Sequence, residues 1–147
     1  MIIKMQADQV AAVWDTVKYS MIKANNIPEH LQQDYSNNML YNFLSGNYQC
    51  WLDFTLNDAG EKTINAIATT KIVKSADYGI NILSVNTVYS FIPLTDQMAI
   101  EAFEGFKKYA IENNCQMLST ETNIDRMKEI AHLTGFEEHN TIYRMFL

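Results

Sequence analysis

The sequence predicts a mixed α/β (α+β) domain whose central sheet is mostly antiparallel and turns partly parallel at one end. Two observations carry this. Apolar residues recur at helical spacing before residue 45 and again after residue 95, whereas two-residue alternation and β-branched residues fill residues 49–91. The middle strands are joined by short turns, and the later ones by helices, which only a crossover between parallel strands accommodates. The resulting order is β-α-α-β-β-β-α-β-α-β, with about six or seven strands and about four helices in a single domain over residues 1–147.

The N-terminal "MIIKM" reads as a short edge strand. Val10, Val13, Trp14, Val17, Met21 and Ile22 then keep helical spacing, with Asp8 as a candidate cap. Pro28 suits a first helical position, and Leu31, Tyr35, Met39, Leu40, Phe43 and Leu44 form an apolar stripe that Ser45 and Gly46 end. From Gln49 the period changes. Cys50, Leu52, Phe54 and Leu56 alternate with Trp51, Asp53 and Thr55, and Asn57-Asp58-Ala59-Gly60 supplies turn chemistry. The return strand covers about residues 63–73, and a turn at residues 75–79 leads into "INILSVNTVYSF". A helix over about residues 95–113 carries Ile100, Phe103, Phe106, Tyr109 and Ala110 on one face. The strand "CQMLSTET", a helix over about residues 125–133 and the strand "TIYRMFL" complete the order.

Composition narrows the function classes. The formal charge is −6, and no Lys/Arg cluster reverses it locally, which opposes a nucleic-acid partner. Hydrophobic residues make up 48% with two Pro and five Gly, as a packed core requires. No apolar run reaches the ~20 residues of a membrane span, so a soluble intracellular chain is expected. Cys50 and Cys115 are too few for a disulfide framework and lack metal spacing; they read as reduced packing thiols. His30, His132 and His139 form no ligand constellation with them, so no metal is expected. No phosphate-binding glycine loop and no nucleophile elbow occurs.

The element order, "YAIENNC" closing a long helix, "LSTET" as the next strand and the C-terminal "IAHLTGFEEHNTIYRMFL" together resemble the GNAT superfamily of N-acetyltransferases over nearly the whole chain. The resemblance implies two neighbouring strands that splay apart, acetyl-CoA in the gap, and its pyrophosphate on the N-terminus of the helix after the fourth strand. A helix N-terminus attracts anions through its free N–H groups and dipole. On this chain the implied cofactor contacts fall at Val88 and Ser90 of the fourth strand and at Gln97, Met98 and Ala99. Pro93 sets the register. Asp96 then occupies the family's basic position, Gln97 and Ala99 its two glycines, and Glu101 a third small position. A carboxylate about 5–6 Å from a pyrophosphate is repulsive enough to cancel much of a micromolar affinity. The more ordinary reading is that Thr95 caps the helix and Asp96 complements its dipole.

The family's proton-donating Tyr falls at Ala131, and its Asn at Ile124, with Asn123 one residue away; Asn123 or Asp125 instead reads as a helix cap. Tyr143 and Tyr89 are the substitutes available. Glu121, at the end of the strand after the long helix, is the candidate general base. Because the basic residue, both glycines and the Tyr are all replaced, the sequence reading favours a GNAT-fold binding component with a degenerate acetyl-CoA site, no cofactor and no acetyl transfer. The alternative is an N-acetyltransferase that transfers acetyl from acetyl-CoA to an amine. The stretches "LSGNYQCWLDF", "AIATTKI" and "INILSVNTVYSF" further resemble small GNAT-like proteins encoded by tailed bacteriophages. That implies a virion-associated or assembly role in the virion or host cytoplasm, with protein partners such as other virion proteins or further copies of the chain.

Overall fold

The computed structural model describes residues 1–140, 145 and 146. Strand β1 (Ile2–Lys4) leads into helices α1 (Ala7–Ala12), α2 (Trp14–Ala24) and α3 (Gln32–Leu44). An antiparallel meander follows, of β2 (Tyr48–Leu56), β3 (Lys62–Lys74) and β4 (Asn81–Ser90). Helix α4 (Asp96–Glu112), strand β5 (Cys115–Thr120) and helix α5 (Asp125–Leu133) complete it. The sheet runs β1-β2-β3-β4-β5, antiparallel up to β4 and parallel between β4 and β5. This is the mixed, mostly antiparallel architecture expected, with five strands among the described residues; the expected strand "TIYRMFL" lies largely outside them.

Several local expectations are corrected. The first helix is two helices, because the chain turns at Val13 (φ −118°, ψ 25°). The apolar period runs through the break unchanged, since Val10, Val17 and Met21 all enter one core. The α1 cap is Gln6, whose N–H donates to Gln9 Oε1 at 2.8 Å, and Asp8 lies inside the first turn. Pro28 has ψ 141° and precedes a single 3-10 turn (Glu29–Leu31), so α3 begins only at Gln32. The hairpin turn matches its chemistry: Asn57 Oδ1 accepts from the N–H groups of Ala59 (3.0 Å) and Glu61 (2.8 Å), and Gly60 takes φ +79°.

Alternation along the strands builds two cores on opposite faces of the sheet. Cys50, Leu52, Phe54 and Ile67 join Val10, Val17, Met21 and Phe43 beneath the N-terminal helices. Trp51, Ala68, Leu83 and Val85 join Ala99, Phe103, Phe106 and Ile130 beneath α4 and α5. On α4 Phe103, Phe106 and Ala110 are buried and Tyr109 packs beside them as expected, while Ala99 takes the inward place expected of Ile100, which is exposed. Trp51 anchors this second core, with ring centroids 5.0 Å from Phe106 and 5.4 Å from Tyr109. Its Nε1–H donates to Thr70 Oγ1 (3.0 Å), and that hydroxyl donates to Gln49 Oε1 (3.0 Å). The relay satisfies three buried polar groups at once.

Two predictions follow from this packing. Thr70→Val keeps the shape of the side chain but leaves the Trp51 N–H and the Gln49 carbonyl buried without their partner, so urea unfolding should show a loss of about 2–3 kcal/mol at unchanged m. Burial also pushes the Cys50 thiol up to about 12 and, with help from neighbouring Tyr48, the Tyr35 phenol up to about 12. The unfolded chain releases these protons at about 8.5 and about 10, while the folded chain retains them. Their contribution is therefore complete below about pH 8.5 and is lost as the pH climbs towards about 12. The urea midpoint should fall across that window, and in Cys50→Ala the decline should begin about 1.5 pH units later.

Candidate functional site

β4 is paired along its length on one side only. Its register with β3 continues to Ala66–Ser90, but its register with β5 stops at Val85–Thr120. β5 ends there, and residues 121–124 carry the chain away into α5. Residues 86–90 of β4 thus face a gap. At its apex a β-bulge inserts Asn86 opposite Thr69 and Thr70, and the buried Asn86 Oδ1 has no hydrogen-bond partner among the described residues.

The α4 N-terminus adjoins the open end of this gap. Thr95 takes extended backbone angles, and its Oγ1 accepts from the Met98 N–H at 3.2 Å, as an N-cap does. Asp96 stands in the first turn. From α5, Arg126 Nη2 reaches across to donate to Asp96 Oδ1 (2.5 Å) and to the Leu94 carbonyl (3.2 Å), while Nη1 donates to Glu129 Oε2 (3.3 Å). The bond to Asp96 foremost, and then the one to Glu129, raises the Arg126 pKa above its ordinary value. Both side chains of the bridging pair remain well exposed, Arg126 at 45% and Asp96 at 60%. In the core under α4, an apolar void of about 30 Å³, room for about one water, lies between Ile2, Trp51, Ala68 and Val88 of the sheet and Met98 and Met127 of the helices.

This geometry alters the meaning of the residues the sequence singled out. Asp96 is paired with a cation 30 positions along the chain that it shares with Glu129, which lessens the repulsion expected of an unpaired carboxylate. Gln97 Nε2 donates to Glu101 Oε1 (2.8 Å), which turns that side chain along the helix. Ala99 is buried among the core residues at 3% exposure, and Met98 presents its side chain to the void. Val88 packs partly buried on the same core, while the Ser90 hydroxyl donates to the Ile92 carbonyl (2.5 Å) and so shapes the loop ahead of Pro93. Val88 and Ser90 thus lie on the stretch of β4 beyond its pairing with β5, and Gln97, Met98 and Ala99 lie in the first turns of α4, Gln97 turned along the helix and Ala99 into the core.

The catalytic candidates are less gathered. Glu121 is exposed in the connection just beyond the end of β5. Tyr143 lies outside the described residues. Tyr89 packs edge-on against Tyr19 of α2 (5.8 Å) and Phe91 (5.1 Å), and its phenol pKa is raised, chiefly by a hydrogen bond with Tyr19. Ala131 offers only its carbonyl, which accepts from the Phe136 N–H (2.9 Å) and the Thr134 hydroxyl (3.2 Å) as α5 ends. The expected capping by Asn123 or Asp125 gives way to Ile124 as the cap residue, with Thr122 Oγ1 accepting from its N–H (3.1 Å) and Asp125 paired to Lys128 (3.3 Å). Among the described residues no group of His, Cys, Asp and Glu could hold a metal, and no helix is long and apolar enough to cross a membrane.

A mixed sheet whose fourth and fifth strands part beside a helix N-terminus is a GNAT-like fold. The solved structures it matches include several named as acetyltransferases. A probable acetyltransferase superposes with a TM-score of 0.72 at 13% identity, covering 100% of this chain and 96% of its own. An aminoglycoside acetyltransferase from an uncultured soil metagenomic sample, in complex with sisomicin, gives 0.73 at 10% identity, covering 100% and 95%. A predicted acetyltransferase from Clostridium acetobutylicum, solved with acetyl-CoA, gives 0.72 at 10% identity, covering 99% and 95%. No protein-family model matches the sequence, and no curated protein matches it.

The mouth also yields a test of the cap. Thr95→Ala removes the acceptor for the Met98 N–H and should cost about 1 kcal/mol in chemical unfolding, while Thr95→Ser should recover most of that loss.

Proposed function

We propose that this chain binds an acyl-CoA thioester in the gap between β4 and β5 and uses it to acetylate an amine. The observation that carries this is the unpaired β4 edge over residues 86–90, which opens beside the α4 N-terminus at a point where Arg126 supplies a cation. An open strand edge offers main-chain groups to a pantetheine amide, and a helix N-terminus with a guanidinium suits a pyrophosphate. The orphaned Asn86 Oδ1 at the apex fits an arrangement in which a ligand donor enters the gap.

In this reading the main chain at Val88 and Ser90 aligns the pantetheine arm, and the first turn at Gln97 and Met98 faces the diphosphate. Acetyl-CoA, when bound, supplies an activated acyl group. The apolar side chains of Val88, Leu94, Met98 and Met127, packed in the core beneath α4, would give the ligand a water-poor flank. Glu121, at the far end of β5, is the described carboxylate nearest in sequence to the diverging strands and would accept the amine proton through water.

Ala131 favours a second reading. With no proton donor at that position, the gap is suited to holding a ligand without transferring an acyl group. The chain is then a GNAT-fold binding component, and a virion-associated or assembly role with protein partners belongs to that reading.

One experiment separates the two. Acetyl-CoA is titrated calorimetrically up to near-millimolar concentration, and thiol release is followed in the presence of a panel of primary amines. Micromolar binding with amine-dependent thiol release is the expected result. Binding without release selects the binding component; absence of heat at the highest concentration removes the acyl-CoA reading altogether.

A further inference from the structure

Arg126 and Asp96 belong to different helices, and their contact spans the mouth of the gap that the parting strands create. Arg126 donates to three protein acceptors: Asp96 and the Leu94 carbonyl from one terminal nitrogen, Glu129 from the other. Nothing about α5 requires this reach. Its buried anchor is Ile130, and Met127 packs beside it, whereas Arg126 lies on the exposed side. The other acid in the first turn of α5, Asp125, pairs with Lys128, so that Lys does not compete for Asp96. Among the described residues this contact joins one cation to two carboxylates, Asp96 and Glu129, all three well exposed to water.

We propose that the Asp96–Arg126 pair is a latch across the cofactor mouth, which a phosphate-bearing ligand opens by replacing Asp96 on the guanidinium. The inference rests on the acyl-CoA reading above and concerns the control of that site. The exchange is chemically even-handed, since a planar guanidinium binds carboxylate and phosphate oxygens in the same forked manner. The exchange leaves Asp96 in the first turn without its partner, and its repulsion of the bound phosphates is what makes the latch resist opening. A ligand without phosphates has nothing to exchange. The latch thus selects for the nucleotide end of the cofactor and leaves recognition of the pantetheine arm to the β4 edge.

The test compares wild type, Asp96→Asn, Arg126→Gln, Arg126→Lys and the double variant Asp96→Asn/Arg126→Gln. Binding of acetyl-CoA and of acetyl-pantetheine, which lacks the phosphates, is measured by calorimetry. Circular dichroism checks that each variant is folded, with Asp96→Ser as the replacement should Asp96→Asn fail. Removing the carboxylate while keeping the cation should tighten acetyl-CoA binding by about tenfold, the scale of one charge-assisted hydrogen bond freed from competition. The double variant should lose that gain, Arg126→Gln should bind no better than wild type, and Arg126→Lys should bind less tightly than wild type because it lacks the fork. Acetyl-pantetheine binding should be the same in all of them. If wild type binds acetyl-CoA and Asp96→Asn binds it no tighter, the pair is a permanent staple and the latch is refuted while the acyl-CoA reading stands. If neither wild type nor any variant binds acetyl-CoA, both fall together.

Discussion

β4 exchanges main-chain hydrogen bonds with β3 from Lys74–Asn81 to Ala66–Ser90, but with β5 only as far as Val85–Thr120. The rest of the molecule is arranged around that asymmetry. An unpaired strand edge inside a domain must meet water, a loop or a ligand, because buried amide groups without partners are costly. The bulge at Asn86 stands where pairing with β5 ceases, and bulges bend and twist the strand that carries them. β4 thus serves as a wall of the second core through Leu83 and Val85, and then as one side of a gap.

The two cores hold this divergence open. Below the sheet, α2 is tied to β4 beyond the bulge, where Asn25 Nδ2 donates to Thr87 Oγ1 at 2.9 Å and to the Met21 carbonyl at 2.9 Å. Above it, α4 is fixed by Phe103 and Phe106 against Trp51, whose N–H is in turn committed to Thr70. Strand β4 is therefore held from both faces, while among the described residues no strand pairs with its edge beyond Val85. The exposed side chains of Arg126 and Asp96 meet beyond the end of that edge.

Much of this frame was legible in the sequence, because each part rested on local signals. The α4 limits follow from Thr95 as cap and Asn113 as stop, the hairpin from Asn57 and Gly60, and α5 matches its expected residues 125–133. What escaped was non-local or geometrically silent. The break at Val13 leaves the apolar period untouched, and the Asn86 bulge adds one residue to a strand that still looks like a strand. Arg126 escaped for a deeper reason: its meeting with Asp96 depends on the parallel crossover that lays α5 beside α4, and no residue near either position announces it.

That meeting changes how the replaced motif is weighed. The resemblance makes Asp96, Gln97 and Ala99 three losses at one site, which count together against cofactor binding. In the fold they are three separate substitutions, each with its own accommodation: Asp96 on Arg126, Gln97 on Glu101, and Ala99 in the core beside Phe103. A small buried side chain at Ala99 does not obstruct the mouth, and a Gln97 side chain lying along the helix leaves the first turn accessible. Ala131 is a different kind of replacement, because a methyl side chain offers no proton, and a thiolate departing there would take one from water or from another hydroxyl. The replacements around α4 therefore count separately and not as one coincident loss, while the one on α5 bears on the proton alone.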